Sequence, residues 1–329
     1  MSAHVLTWII AALATAGVIL RPFQWPEAIW AVAGAILLVL LGLISWGDAV
    51  TGVGKGLDVY LFLTGMMLLS EIARTEGLFD WLAAKATNQA KGSASRLFLL
   101  VYAVGTIVTV FLSNDATAVV LTPAVAAAVK AANAEKPLPY LLTCAFIANA
   151  ASFVLPISNP ANLVIYGSHM PPLLQWLPQY LLPSIVSIVA TYLVLRWTQG
   201  AALAQPVSAD VDVPSLTVAG KIAAAGIALT AVVLLVSSSL GLQLGLPTAI
   251  AGLLTVAVVL IREKKGPWGT IKDVSWGVLP LVAGLFVLVE ALGKTGLIGA
   301  ISQALHDGAQ ASVTGAAAAT GVIVAFGSN

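Results

Sequence analysis

Two short polar groups interrupt an otherwise apolar sequence: Ser113-Asn114-Asp115, followed by Thr117, and Ser158-Asn159-Pro160-Ala161-Asn162. Their amides and hydroxyls can exchange hydrogen bonds with a polar solute, and the Asp115 carboxylate can take up or release a proton. Two further acids, Glu71 and Glu290, stand near the ends of apolar stretches and are candidates for the same proton chemistry. The surroundings narrow what this chemistry serves. Of 329 residues, 59% are hydrophobic and 9% are charged, where a soluble domain carries roughly 25% charged residues. Such a chain belongs in lipid and leaves little polar sequence for a soluble domain.

Several function classes drop out on composition. A net charge of +1 supplies no field for nucleic acid. Cys144 is the only cysteine, so neither a disulfide framework nor a multi-thiolate metal site can be built, and its expected role is a small buried apolar residue. His4, His169 and His306 are isolated and lack the His-Glu-x-x-His spacing of an intramembrane metalloprotease. No nucleophile and base are paired in sequence, so an intramembrane enzyme is the weakest reading, and neither cofactor nor metal is expected.

Apolar stretches lie at about residues 4–20, 26–45, 57–73, 97–112, 116–130, 138–167, 173–196, 217–236, 247–261, 274–292 and 313–326. Lys and Arg gather at 74–96, 130–136, 196–221 and 262–272, which the positive-inside rule places in the cytoplasm. Between the first two clusters stand two apolar arms. Each is about 24 Å long as a helix, short of the roughly 30 Å hydrocarbon core. A re-entrant hairpin over 97–130 keeps both clusters cytoplasmic and buries its tip, Ser113-Asn114-Asp115, where irregular backbone survives only against protein or a watery cavity. The alternative, two ordinary spans and a periplasmic turn, puts Lys130 and Lys136 outside. Downstream, Pro156 and Pro160 predict a broken helix over 138–167, because proline removes a donor and clashes with the preceding turn. Such breaks offer free backbone groups near mid-membrane, although a plain proline kink would also fit.

Gly65, Leu69, Glu71, Gly77 and Leu78 recur 219 positions later as Gly284, Leu288, Glu290, Gly296 and Leu297. Gly105, Ile107, Val108, Phe111, Ser113 and Asn114 are echoed, across a one-residue gap, by Gly321, Ile323, Val324, Phe326, Ser328 and Asn329. Counting crossings from the basic clusters turns the second copy over. The expected fold is therefore an all-α polytopic membrane protein with an inverted repeat, re-entrant hairpins and broken helices. A first repeat would occupy 1–200, with its last span at 173–196, a cytoplasmic linker 201–216, and a second repeat 217–329. Ser328 and Asn329 would open the second half of the site, and the pattern implies a return arm, a second broken helix and a final span beyond them. Inverted repeats with broken elements are the architecture of secondary transporters. For Glu71 and Glu290, ion pairing with Arg74 and Lys294 competes with proton relay.

From Phe111 to Pro123, with Asn114-Asp115 followed by Leu121-Thr122-Pro123, the chain resembles the arsenite efflux permeases of the ion transporter superfamily. The likeness extends to Gly77-Leu78-Phe79-Asp80-Trp81 and to Ser158 through Val164, and is weaker in the second repeat. The resemblance implies export of arsenite and antimonite across the cell's inner membrane, driven by proton antiport or, in some systems, by a soluble arsenite-stimulated ATPase. Arsenious acid is a small neutral trihydroxide, so amides, hydroxyls and carbonyls suit it. Ser113, Asn114, Thr117, Ser158, Asn159, Asn162, Ser328 and Asn329 are the binding candidates, and Asp115, Glu71 and Glu290 the proton-coupling candidates. Asp115 could instead cap the helix that follows it. Sodium-coupled di- and tricarboxylate carriers are similar but place Thr where this chain has Asp115. A carboxylate carrier or a sodium/proton antiporter on the same scaffold is thus the alternative. A carboxylate carrier would be expected to offer a fixed cation, and neither helix break has one nearby.

Overall fold

The computed structural model describes residues 2–167, 170–208 and 211–327, with side chains through Ile323. Among the described residues every regular element is helical, apart from one isolated antiparallel bridge between Ser93 and Pro206. The chain opens with α1 (Ala3–Leu20), α2 (Glu27–Leu40), α3 (Trp46–Lys55), α4 (Leu57–Thr75) and α5 (Leu78–Gln89). Next come α6 (Ala94–Phe111), α7 (Thr122–Ala131), α8 (Leu138–Ala150), α9 (Pro160–Tyr166) and α10 (Leu173–Thr198). The remainder is α11 (Val218–Ser239), α12 (Gly245–Glu263), α13 (Trp268–Asp273), α14 (Val278–Lys294), α15 (Leu297–Ala311) and α16 (Val313–Gly327). By length and apolar composition α1, α6, α10, α11 and α12 can each cross a bilayer, so the fold is an all-α polytopic membrane protein.

The helices pack as two compact units, Met1–Gly56 with Trp276–Asn329, and Leu57–Ser275. In the first, α14 lies against α1, α2 and α3 around Ile10, Leu38, Leu288 and Ala291. Lipid tails are as apolar as leucine, so contact distance, and not escape from water, drives this packing. Glycines set that distance. A Cβ on Gly284 would sit 2.7 Å from the Ala31 carbonyl carbon, and one on Gly34 2.6 Å from the Ala14 Cβ. The chain then bends by 74° between α14 and α15 at Gly296, whose φ of 80° suits glycine.

In the second unit α4 is the most enclosed long helix, with Phe62, Leu69 and Ile72 fully buried, and it packs chiefly on α12. A Cβ on Gly65 would meet the Thr248 carbonyl oxygen at 2.3 Å, and one on Gly252 the Gly65 carbonyl oxygen at 2.6 Å. Asp58, at the start of α4, caps the start of α12 by accepting the Gly245 N–H at 2.8 Å. Because backbone meets backbone here, Gly65→Val is expected to cost about 1–3 kcal/mol through forced separation. Its check is the melting temperature of the purified protein. Gly54→Ala, where the Cβ meets nothing within 4 Å, should leave it unchanged.

The 219-residue spacing has structural counterparts. α5 and α15 begin at Leu78 and Leu297, each after a left-handed glycine, and α6 and α16 begin at Ala94 and Val313. Gly65 and Gly284 have the same task in α4 and α14. Yet α1 and α2 pack on α14, whereas α11 and α12 pack on α4. Each unit therefore combines the opening helices of one proposed repeat with the third span of the other.

Candidate functional site

The candidate site is built in the second unit from α4, the hairpin and the broken helix. α6 starts where the Ser93 hydroxyl accepts the Arg96 N–H, at 3.3 Å, and runs to Phe111. It includes three residues ahead of the apolar stretch, so it is about 27 Å long and by length could cross a bilayer. The return arm is not a plain helix. Ala116–Leu121 is wound as a π-helix before α7 continues to Ala131. Pro123 supplies the reason: it has no N–H to donate to the preceding turn and its ring crowds a carbonyl there, so the ladder widens. The Thr122 hydroxyl fills part of the gap by donating to the Thr117 carbonyl at 3.1 Å.

At the tip the polar groups divide into those spent on the fold and those left over. The buried Ser113 hydroxyl accepts the Ala116 N–H at 3.1 Å and so caps the return arm. Thr117 is fully buried and shares a 2.8 Å hydrogen bond with the Thr109 hydroxyl, which donates to the Gly105 carbonyl at 2.8 Å. It staples the two arms together. Asn114 is half-buried and uses its amide oxygen to accept the Asp115 N–H at 3.0 Å. The Asp115 side chain is exposed and makes no side-chain cap of the following helix. Among the described residues its carboxylate has no hydrogen-bond donor or cation.

The broken helix sits directly against this hairpin. α8 stops at Ala150, earlier than Pro156 alone requires, and the chain turns through 151–155 into a short 3-10 turn, Pro156–Ser158. Leu155 and Asn159 are both extended, as the residue before a proline should be. The fully buried Ser158 hydroxyl donates to the Val110 carbonyl of α6 at 2.9 Å and accepts the Leu155 N–H at 3.1 Å. That single side chain joins the break to the last turn of the first hairpin arm. Asn162, 1% exposed, aims its NH2 at the carbonyls of Ser152, Leu155 and Pro156 at 3.2–3.5 Å. Asn159 caps α9 by accepting the Ala161 N–H at 2.9 Å, and among the described residues its NH2 has no acceptor. α4 packs on both the π-turn and α9, and Gly105 lets α6 approach Ile147 of α8.

Glu71 and Glu290 are both held by cations. Glu71 takes Arg74 through both oxygens, at 2.6 and 3.0 Å, and Arg74 also reaches Asp273 at 3.4 Å. Glu290, in the first unit, pairs with Lys55 at 2.6 Å. Lys294, the partner expected from its spacing, instead binds Asp48 at 2.6 Å; the gapless repeat puts Gly293, not a cation, opposite Arg74. Just past the end of α4 the buried Glu76 accepts from Lys265 at 2.9 Å, which raises the pKa of that ammonium above the usual lysine value. Ser328 and Asn329 lie outside the described residues. A groove of about 440 Å3 between α11 and α12, lined by Leu229, Leu254 and Thr255, shares no residue with the tip or the break. No cluster of metal-ligating side chains occurs among the described residues.

Sequence reading missed Thr109, Thr122 and Ser152, although Leu121-Thr122-Pro123 carried the signal for the π-turn. It also treated Thr117, Ser158 and Asn162 as ligand groups without seeing what else each one holds.

Residues 7–329 match the citrate transporter family, CitMHS. A Bacillus subtilis protein with the provisional name arsenical pump membrane protein is 33% identical over 146 residues, 44% of this chain and 33% of its own length. The arsenical pump membrane protein of Yersinia enterocolitica is 27% identical over 307 residues, covering 89% of this chain and 70% of that protein. A Synechocystis protein named as an uncharacterized transporter is 24% identical over 305 residues, 88% of this chain and 65% of its own length. The chain thus spans about two thirds of the length of the relatives it matches along most of its own. With a family match over almost its whole length, a multi-pass helical fold and relatives among arsenical pump membrane proteins, the chain belongs to the citrate transporter family.

Proposed function

We propose that this chain forms the membrane core of a secondary carrier that exports arsenite, and antimonite with it, as neutral trihydroxides across the inner membrane in exchange for protons. The observation that carries this reading is the Asp115 carboxylate. It stands at the hairpin tip without a partner among the described residues, while the other two proton-coupling candidates, Glu71 and Glu290, are ion-paired. A lone carboxylate in a membrane is costly when charged and cheap when protonated, so its occupancy can follow whichever side is open. Unprotonated, it accepts a hydrogen bond from a substrate hydroxyl. The NH2 groups of Asn114 and Asn159, which have no acceptor among the described residues, can donate to the remaining oxygens. Proton and substrate then compete for one group, which is what antiport requires: the carboxylate travels outward with cargo, releases it, takes a proton and returns to release that proton inside.

The hairpin tip would reach the bilayer interior as a re-entrant loop, an arrangement supported by the burial of Ser113 and Thr117 against protein. Arsenical pump relatives support the cargo. One observation favours a second reading, a carrier for citrate or a similar carboxylate: the family's own description. Against it, no Lys or Arg lies within 111–123 or 151–163, so a polyanion would meet only amides and helix termini. Inverted membrane vesicles carrying the intact protein, with an imposed pH gradient, separate the two. The expected result is accumulation of arsenite without citrate; accumulation of citrate without arsenite would reverse the assignment.

A further inference from the structure

The residues between α10 and α11 read as a linker, but Leu203–Ser208 and Val211 do not behave as one. Leu203, Val207 and Val211 are buried. The Val207 N–H donates to the Gly92 carbonyl at 3.1 Å, beside the bridge of Pro206 with Ser93, at the foot of the first hairpin arm. The Ser208 N–H donates to the Ala132 carbonyl at 2.7 Å, at the foot of the return arm. The Ser95 hydroxyl donates to the Leu203 carbonyl at 3.4 Å. On α5, Asn88 takes Val211 in a two-point grip, its NH2 donating to the Val211 carbonyl at 2.6 Å and its oxygen accepting the Val211 N–H at 2.8 Å.

These bonds join the end of α5 and the adjoining foot of the first hairpin arm, at Asn88, Gly92 and Ser93, to the foot of the return arm at Ala132, which is distant in sequence. A passive linker would leave its amides to water, since solvated backbone costs nothing to keep mobile. Here each pairing fixes a separate part of the hairpin's base, and one side chain of the right size and polarity closes the last of them. We propose that this segment is a strap that makes the hairpin and α5 one moving body, with Asn88 as the positioning residue that fastens it. The strap holds the spacing of the feet and thereby the geometry of the tip at the other end of both arms. The proposal rests on the carrier reading but not on the identity of the cargo.

In the intact protein, Asn88→Ala removes both hydrogen bonds of the grip. Turnover in vesicles is expected to fall about tenfold with little change in KM, since two net hydrogen bonds are lost and no substrate contact is touched. Asn88→Ala should also speed hydrogen exchange at the Val207 and Ser208 amides, a readout that needs no substrate. Ala132→Cys with Ser208→Cys, in a Cys144→Ala background, allows the strap to be tied covalently to the return arm. If strap and hairpin move together, the cross-link leaves transport intact and restores turnover to Asn88→Ala. Loss of transport on cross-linking, failure to rescue, or unchanged amide exchange in Asn88→Ala would each overturn the proposal. A wild-type protein that moves neither arsenite nor citrate would count against the carrier reading instead.

Discussion

Asp115→Asn is expected to abolish arsenite accumulation driven by a pH gradient, bringing inverted vesicles to the level of vesicles without the protein, while downhill arsenite exchange persists. The amide has nearly the shape of the carboxylic acid and keeps a hydrogen-bonding oxygen, but it cannot alternate between protonated and charged forms. Coupling is therefore lost before binding is. Asp115→Glu keeps the charge on a longer stem and should retain coupling at reduced rate. The check is a pair of assays on the same vesicles, net uptake with a pH gradient and tracer exchange without one. Loss of both would make Asp115 a structural residue, and retention of both would remove it from the coupling.

Asn159→Ala and Asn162→Leu are expected to fail in different ways although the residues stand three positions apart. Asn162 is buried and serves the carbonyls of Ser152, Leu155 and Pro156, so a leucine of similar volume leaves acceptors without a donor. The penalty is about 1–3 kcal/mol of stability, seen as a lower melting temperature and poor yield from the membrane. Asn159 spends its oxygen on the cap of α9, and its NH2 has no acceptor among the described residues. Loss of the cap costs about 1 kcal/mol, and loss of the NH2 removes a substrate donor, so KM for arsenite should rise while most of the protein stays folded. Ser158→Ala belongs with Asn162→Leu, because it releases both the Leu155 N–H and the tie to Val110. A stable Asn162→Leu protein with only a raised KM would place Asn162 among the ligand groups and contradict its role as a support.

Much of this arrangement was legible in the residues. Apolar runs located the helices, and Pro156 and Pro160 placed the break close to where the chain leaves helical geometry, because proline acts through its immediate neighbours. Left-handed Gly77 and Gly296 were visible as members of the repeat, but not as bends, since glycine type alone does not report φ. α5 and α15, amphipathic and too polar to stand out as spans, had no clear apolar run and were missed. Hydrogen-bond allocation was the least legible. Ser158, Asn162 and Thr117 have the same donors and acceptors as Asn114 and Asn159, and only three-dimensional contact shows that the first group faces carbonyls and hydroxyls of the fold. The exchange of partners between the two units was equally hidden, because helices that pack together lie more than 180 residues apart, as α4 and α12 do. The pairing of Glu290 with Lys55 has the same origin: spacing along one helix favoured Lys294, and a neighbouring helix supplied a nearer cation.

Direct competition between proton and cargo at Asp115 can be measured without a membrane. Arsenite added to the purified protein in weakly buffered solution, with a pH indicator, should release protons as it binds, with a dependence on arsenite concentration that matches binding. Asp115→Asn should bind arsenite without that release. Binding with no proton release in the wild-type protein, or equal release from Asp115→Asn, would contradict the assignment of this carboxylate as the group that exchanges one for the other.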